Sequence, residues 1–200
     1  MIKNVIFDFG QVLVRFDPLY MTSKYIADKN EAEAAARVIF DRLYWDRLDD
    51  GTIEDGEVVE AVKARLPEHL HEGATLAYYN WIYNIPEIRG MRELICRLKQ
   101  EKGVRVFVLS NISRYFAEHA QQIPILSYAD GCVYSAVCGY VKPDAEIFSH
   151  LCDTYDLSSS ECVFIDDSQK NINGAEAFGI KGYLFDGDSE KLGAFLDGIL

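Results

Sequence analysis

Four short apolar runs, at residues 5–7, 104–109, 162–165 and 182–185, are separated by stretches whose apolar residues recur at helical spacing. That alternation constrains the fold more than any other feature. Ile88, Met91, Leu94, Ile95 and Leu98 precede the second run, Ile147, Phe148, Leu151 and Cys152 the third, and Ala175 and Phe178 the fourth. Strands joined through helices, not hairpins, predict an α/β fold: a three-layer, Rossmann-like parallel sheet covered on both faces. A further short strand is expected over 133–137, after Asp130-Gly131. With 200 residues and 49% hydrophobic content, the chain can bury a sizeable core as one body.

Between Asp17-Pro18 and Pro86 the pattern changes, because this stretch is helical in period and has no strand-like run. It predicts a helical cap over 17–86, inserted into a core made of 1–16 and 87–200. Thr52 and Asp55 resemble a capping box before a helix carrying Val58, Val59, Val62 and Leu66, which stops at Pro67. Tyr44, Trp45, Tyr78, Tyr79, Trp81 and Tyr83 predict a small aromatic core for the cap, and some of them suit the wall of a substrate pocket. Its place after the first strand sets it over the carboxyl edge of the sheet, as a lid.

A net charge of -12 with no Lys/Arg cluster excludes nucleic acid and anionic membrane as partners. No apolar run approaches membrane-spanning length, and no secretory signal is expected from the opening Met1-Ile2-Lys3-Asn4, so a cytoplasmic monomer is the expectation. Cys96, Cys132, Cys138, Cys152 and Cys162 are scattered and lack CxxC spacing, which argues against a disulfide framework and a zinc site. His69, His71, His119 and His150 have no ligand spacing and read as surface or packing residues.

Polar residues cluster where the strands end, the edge at which open α/β sheets bind ligands. Asp8 closes the first run; Ser110-Asn111 closes the second, ahead of a helix from Ser113 through Tyr115, Phe116 and His119. A hydroxyl and backbone amides at such a junction suit an oxyanion. Lys142 precedes Pro143, which is expected at the first position of the helix carrying Ile147 and Phe148 and forces Lys142 to be extended. Asp166-Asp167-Ser168 closes the third run, with Asn171 and Gly174 on the helix that follows. Each alone has an ordinary reading as a turn residue, a helix cap or a solvated charge. Together, three carboxylates beside an anion nest would repel phosphate unless a cation such as Mg²⁺, which prefers oxygen ligands, sits between them.

VIFDFGQVLV, VFVLSN, GYVKPDAEIF and FIDDSQKNINGAEAFGI resemble, in order and spacing, the four motifs of the haloacid dehalogenase-like superfamily, of the subfamily IA type. The resemblance covers essentially the whole chain, and the chain is similar to small bacterial sugar-phosphate phosphatases of the glucose-1-phosphate type. It implies that Asp8 is a nucleophile forming an aspartyl phosphate. It implies that Mg²⁺ is held by Asp8, the Gly10 carbonyl and Asp167, with Asp166 direct or through water and Asn171 orienting the pair. Ser110, the Asn111 amide and Lys142 would hold the phosphate of a small phosphorylated metabolite.

Gly10 departs from the broad family pattern, in which a second Asp protonates the leaving oxygen and activates water. General acid–base help is worth roughly 10² to 10⁴ in rate. An acidic anomeric leaving group, Asp17 or a cap residue, or a proton shuttle through substrate hydroxyls or metal-bound water would each compensate. Two other readings stand beside the phosphatase: a hydrolytic 2-haloacid dehalogenase, for which a paired acidic metal site has no purpose, and a non-catalytic member that binds a phosphorylated ligand or a partner.

Overall fold

The computed structural model describes residues 1–200. In chain order the elements are β1 (Asn4–Phe7), α1 (Pro18–Thr22), α2 (Lys29–Ile39), α3 (Arg42–Asp49), α4 (Asp55–Lys63), α5 (His71–Asn80), α6 (Met91–Lys102), β2 (Arg105–Ser110), α7 (Arg114–His119), β3 (Gly131–Tyr134), α8 (Ser135–Cys138), α9 (Ala145–Tyr155), β4 (Cys162–Asp166), α10 (Gln169–Phe178), β5 (Lys181–Leu184) and α11 (Ser189–Asp197). The fold is α/β, with one parallel sheet ordered β3-β2-β1-β4-β5. The chain leaves β1 toward β2 and β3, then returns to β4 on the other side. The switch point therefore lies beside β1, where ligand crevices form in such sheets.

The two-residue period of a strand divides the core between the sheet's faces. Val5, Phe7, Val106, Val108, Val163 and Ile165 pack with Met91, Leu94 and Leu98 of α6 and Leu192 of α11. Ile6, Phe107, Leu109 and Phe164 pack with Phe148 of α9 and Ile172 of α10. These strand residues are almost completely buried, as near-continuous apolar runs in a doubly covered sheet should be.

Helices α1–α5 lie between two chain crossings held side by side, where the Arg15 amide donates to the Pro86 carbonyl at 2.8 Å. They carry their own cluster, built on Ile39, Tyr44, Leu48, Val58, Val62 and Tyr78. The helix N-termini follow ordinary capping chemistry: Asp17, Asp28 and Asp41 each accept a backbone N–H at the starts of α1, α2 and α3. No helix is long and apolar enough to cross a membrane.

Several local expectations are corrected. The strand expected over 133–137 is present but shifted: β3 is Gly131–Tyr134, pairing Val133 with Leu109 and Tyr134 with Ser110, and the chain then turns into α8 at Ser135, whose buried hydroxyl accepts the Ile112 N–H. Thr52 and Asp55 form no capping box. The N-cap of α4 is Glu54, whose amide donates to Glu57 Oε1, while the Thr52 hydroxyl donates to Asp50. Pro143 is not at the first position of α9, which starts at Ala145 with Asp144 as N-cap. Ile88 lies before α6, donating its amide to the Leu13 carbonyl, and β5 begins one residue earlier than the run at 182–185.

Candidate active site

Register places the first two carboxylates together. Phe7 is level with Ile165, and the Asp8 amide donates to the Ile165 carbonyl at 2.8 Å, so one step further on Asp8 stands beside Asp166. Asp8 and Asp166 come two places after Ile6 and Phe164, which face α9 and α10, so the period of two aims both carboxylates the same way. Lys142, in the turn before α9, fills the space between them: its Nζ lies 2.8 Å from Asp8 Oδ1 and 2.7 Å from Asp166 Oδ2, with the ammonium stem 1% exposed. Burial pushes the Asp8 carboxyl up to about 6, against the pull of Lys142 and with a further push from Asp166. Burial alone would lower the Lys142 ammonium, but the two carboxylates outweigh it and hold it above its ordinary value.

Asp166 is the most tightly held group of the site. Asn171 Nδ2 donates to both of its oxygens at 3.1 and 3.0 Å, and the Ser168 amide donates to Oδ1 at 2.8 Å. Asn171 thus orients Asp166 alone and makes no hydrogen bond to Asp167. Asp167 is exposed; burial of its inner side and the neighbouring Asp166 raise its carboxyl above the ordinary range. One ligand atom each from Asp8, Asp166 and Asp167 lie within 4.8 Å of one another.

Ser110, 3% exposed, ends β2 and lines the cavity. The Asn111 side chain positions the lysine turn: its Nδ2 donates to the Lys142 carbonyl at 3.0 Å and its Oδ1 accepts the Lys142 amide at 2.8 Å. This two-point clamp ties the turn to the end of β2. Gly174 secures it from the other side, since a Cβ there would lie 2.4 Å from the Pro143 carbonyl oxygen. Lys142 is therefore fixed by its turn and its neighbours, not by the first turn of a helix.

Above these groups lies a cavity of ≈ 390 Å³. Its floor is Asp8, Gly10, Ser110, Asn111, Lys142 and Asp167, and its roof is Arg42, Trp45, Asp49 and Trp81. Phe16, Trp45 and Trp81 form an aromatic wall with every pair of ring centroids 5.5 Å apart. Of the aromatics singled out in the sequence, Trp45 and Trp81 reach the cavity, Tyr44 and Tyr78 are buried among the helices, and Tyr83 is exposed. Asp17 does not line the cavity; it caps α1 by accepting the Tyr20 amide. A wider groove of ≈ 1040 Å³ near Arg97, Asp186 and Asp197 is lined by charges of both signs, among them the pairs Arg97 with Asp197 and Lys191 with Asp186, and lies apart from the carboxylate cluster.

Sequence patterning did not single out Arg42, Asp49, Phe16 or Ser135. The first two stand on an amphipathic helix whose charges look solvated, and Ser135 looked like part of a strand. The Ser135 hydroxyl accepts from the Ile112 amide at 2.9 Å and donates to the Asp49 carbonyl at 2.5 Å, joining the loop after Ser110-Asn111 to the end of α3.

A parallel sheet with carboxylates, a buried lysine and a hydroxyl at one carboxyl edge, roofed by inserted helices, defines a hydrolase core of the Rossmann-like α/β class. The chain belongs to the haloacid dehalogenase-like hydrolases, whose family model matches residues 2–179. It is 28% identical to the sesquiterpene phosphatase astK of Aspergillus oryzae over 184 residues, 90% of this chain and 88% of the relative. It is 25% identical to the D-ribitol-5-phosphate phosphatase of Bacteroides thetaiotaomicron over 194 residues, 92% of this chain and 91% of the relative. Among solved structures, a predicted HAD-like family hydrolase from Porphyromonas gingivalis superposes with a TM-score of 0.72 at 22% identity, covering 100% of this chain and 98% of that one. A HAD family enzyme from Bacteroides thetaiotaomicron, crystallised with magnesium and inorganic phosphate, does so with a TM-score of 0.72 at 21% identity, covering 96% and 99%.

Proposed function

We propose that the protein is a Mg²⁺-dependent phosphatase that hydrolyses a small phosphorylated metabolite, a sugar phosphate such as a hexose 1-phosphate, through an aspartyl phosphate on Asp8. The support lies in the convergence of Asp8, Asp166 and Asp167 within 4.8 Å, with Lys142 as the one cation in contact with them. Three carboxylates against one ammonium repel a phosphate dianion unless a divalent cation joins them. The donor set is all hard oxygen, which fits Mg²⁺. Asp8, the Gly10 carbonyl and Asp167 would hold it; Asp166, whose oxygens are already engaged by Lys142, Asn171 and the Ser168 amide, would reach it through water. Once bound, the ion neutralises charge on the phosphoryl group.

The chain's own residues do the rest. Asp8 attacks phosphorus in line with the ester oxygen, and water then hydrolyses the aspartyl phosphate. Lys142, Ser110 and the Asn111 amide hold the equatorial oxygens, already fixed in place before charge spreads over them. Residues 17–86 act as the cap that closes over the substrate. Phe16, Trp45 and Trp81 offer flat apolar surface to the C–H face of a sugar ring, with Arg42 and Gln11 at hand for its hydroxyls. The polyol phosphate in the name of the ribitol-phosphate relative supports this choice. The same aromatic wall would accept a terpenoid chain, the alternative suggested by the sesquiterpene relative. An alkyl halide brings no anionic group to offset the acidic cluster, which argues against the dehalogenase reading.

Hydrolysis of p-nitrophenyl phosphate with Mg²⁺, with chelator and with Asp8→Asn tests the reading. Loss under both treatments is expected. Activity that survives chelator refutes metal dependence, and no hydrolysis of any phosphate in a broad metabolite panel refutes the enzyme. That panel, with sugar phosphates beside prenyl phosphates, decides the substrate class.

A further inference from the structure

We propose that Asp49, on helix α3 of the inserted helices, moves the proton in this site: it protonates the leaving oxygen and then accepts the proton of the hydrolytic water. The inference rests on the phosphatase reading above.

Gly10 has no side chain to do this, and sterics do not demand glycine there. A Cβ at Gly10 would meet nothing within 4 Å, and its φ lies outside the left-handed region. The space beside Asp8 is therefore open to a group from the opposite wall. The carboxylates lining the cavity are Asp8, Asp49 and Asp167, and no Glu, His, Cys or Tyr joins them. Asp8 is committed as nucleophile and Asp167 to the cation cluster; the other charged groups lining the cavity, Lys142, Lys170 and Arg42, are cations and not carboxylates. Asp49 is the carboxylate left over.

Its position is built, not incidental. The Ser135 hydroxyl donates to the Asp49 carbonyl at 2.5 Å while accepting the Ile112 amide, so the end of α3 is pinned to the loop that follows Ser110-Asn111. Two residues on, Gly51 packs so closely on α8 that a Cβ would lie 3.2 Å from the Ala136 carbonyl oxygen. Burial pushes the Asp49 carboxyl up to about 7. Arg42 on its own helix and Lys142 before α9 pull it down, Asp46 on its own helix and Asp8 at the end of β1 push it up, and no hydrogen bond holds it ionised. Both protonation states are thus populated at neutral pH, the condition for an acid that must next serve as a base.

The step balances without a further reactant. An Asp8 carboxylate oxygen forms a bond to phosphorus as the phosphorus–ester oxygen bond breaks. The leaving oxygen keeps that electron pair and takes the proton of the Asp49 carboxylic acid, giving alcohol, aspartyl phosphate and Asp49 carboxylate. Water then attacks phosphorus and gives a proton to Asp49. The phosphorus–Asp8 bond breaks with its pair returning to Asp8, so phosphate leaves and both carboxyls are restored.

The test compares wild type, Asp49→Asn, Asp8→Asn and Gly10→Asp/Asp49→Asn on an alkyl phosphate and on p-nitrophenyl phosphate. Asp49→Asn should lose about 10² to 10⁴ in kcat/KM on the alkyl ester, whose poor leaving group needs the proton. On the aryl ester it should release a stoichiometric burst of nitrophenol and then stall, with acid-quenched protein carrying phosphate on Asp8. The alkaline limb of its pH–rate profile should vanish, and Gly10→Asp/Asp49→Asn should regain alkyl-ester turnover. A merely structural Asp49 would change both substrates alike and trap no phosphoenzyme, which overturns the inference. If Asp49→Asn does not fold, Arg42→Gln, which removes the cavity-lining cation that pulls Asp49 down, decides through the pH profile of kcat: the alkaline limb moves to higher pH if Asp49 is the acid, and an unmoved limb refutes it. Wild type inactive on every phosphate sinks the phosphatase reading; an active wild type, a dead Asp8→Asn and unaltered leaving-group dependence in Asp49→Asn sink this inference alone.

Discussion

Replacing Lys142 by Met removes a buried charge while keeping most of its volume, and its cost follows from the geometry. The ammonium lies 2.8 and 2.7 Å from two carboxylates. At an effective dielectric constant of about 20, each contact is worth roughly 6 kcal/mol of attraction. Burial of the ammonium and repulsion between Asp8 and Asp166 offset most of that. Breaking a buried pair from one side costs about 3–5 kcal/mol, because the carboxylates stay behind unpaired. Against a folding stability of about 5–15 kcal/mol, Lys142→Met should fold but unfold at markedly lower urea concentration in chelator at neutral pH. The sign of the pH dependence is fixed by Asp8. Its carboxyl ionises in the folded protein only above about 6, so its pairing with Lys142 contributes above that pH and is lost below it. The gap between variant and wild type should therefore narrow on acidification through about 6. Added Mg²⁺ should raise the midpoint of the variant more than that of wild type, by mass action on the freed acidic cluster. Equal or greater stability of Lys142→Met in chelator at neutral pH, or a gap that widens on acidification, would refute this account of the cluster.

Asp8→Asn should abolish turnover yet stabilise the metal-free protein. The folded carboxyl is raised from 3.8 to about 6, so Asp8 costs stability as pH rises through that window, reaching about 3 kcal/mol above it. Urea unfolding in chelator should show the variant more stable at neutral pH and level with wild type below about 4. Gly174→Ala should lower stability by about 1–3 kcal/mol and lower kcat by displacing Lys142, because its Cβ would sit 2.4 Å from the Pro143 carbonyl oxygen. Thermal melting and steady-state rates check both effects.

Strand ends were readable because a parallel strand announces itself locally: Val5-Ile6-Phe7 before Asp8 and Cys162-Val163-Phe164-Ile165 before Asp166 are buried on both faces, so the first charge marks the edge. Element boundaries were less so wherever a side chain competes with the backbone. β3 ends at Tyr134, and the next residue, Ser135, bonds Ile112, 23 residues away, a partner that no local pattern reports. The Asn111 clamp on Lys142 spans 31 residues and is equally silent in the sequence.

The sequence by itself determined the alternating α/β order, the inserted helical stretch and the four polar segments at strand ends, since hydrophobic period and turn chemistry are local properties. Tertiary structure decided which of those groups touch: Lys142 between Asp8 and Asp166, Asn171 on Asp166 alone, Asp17 spent on a helix cap, and Asp49 carried from the surface-like face of α3 into the cavity. A carboxylate's protonation depends on burial and on charges brought near by folding, and those are long-range facts.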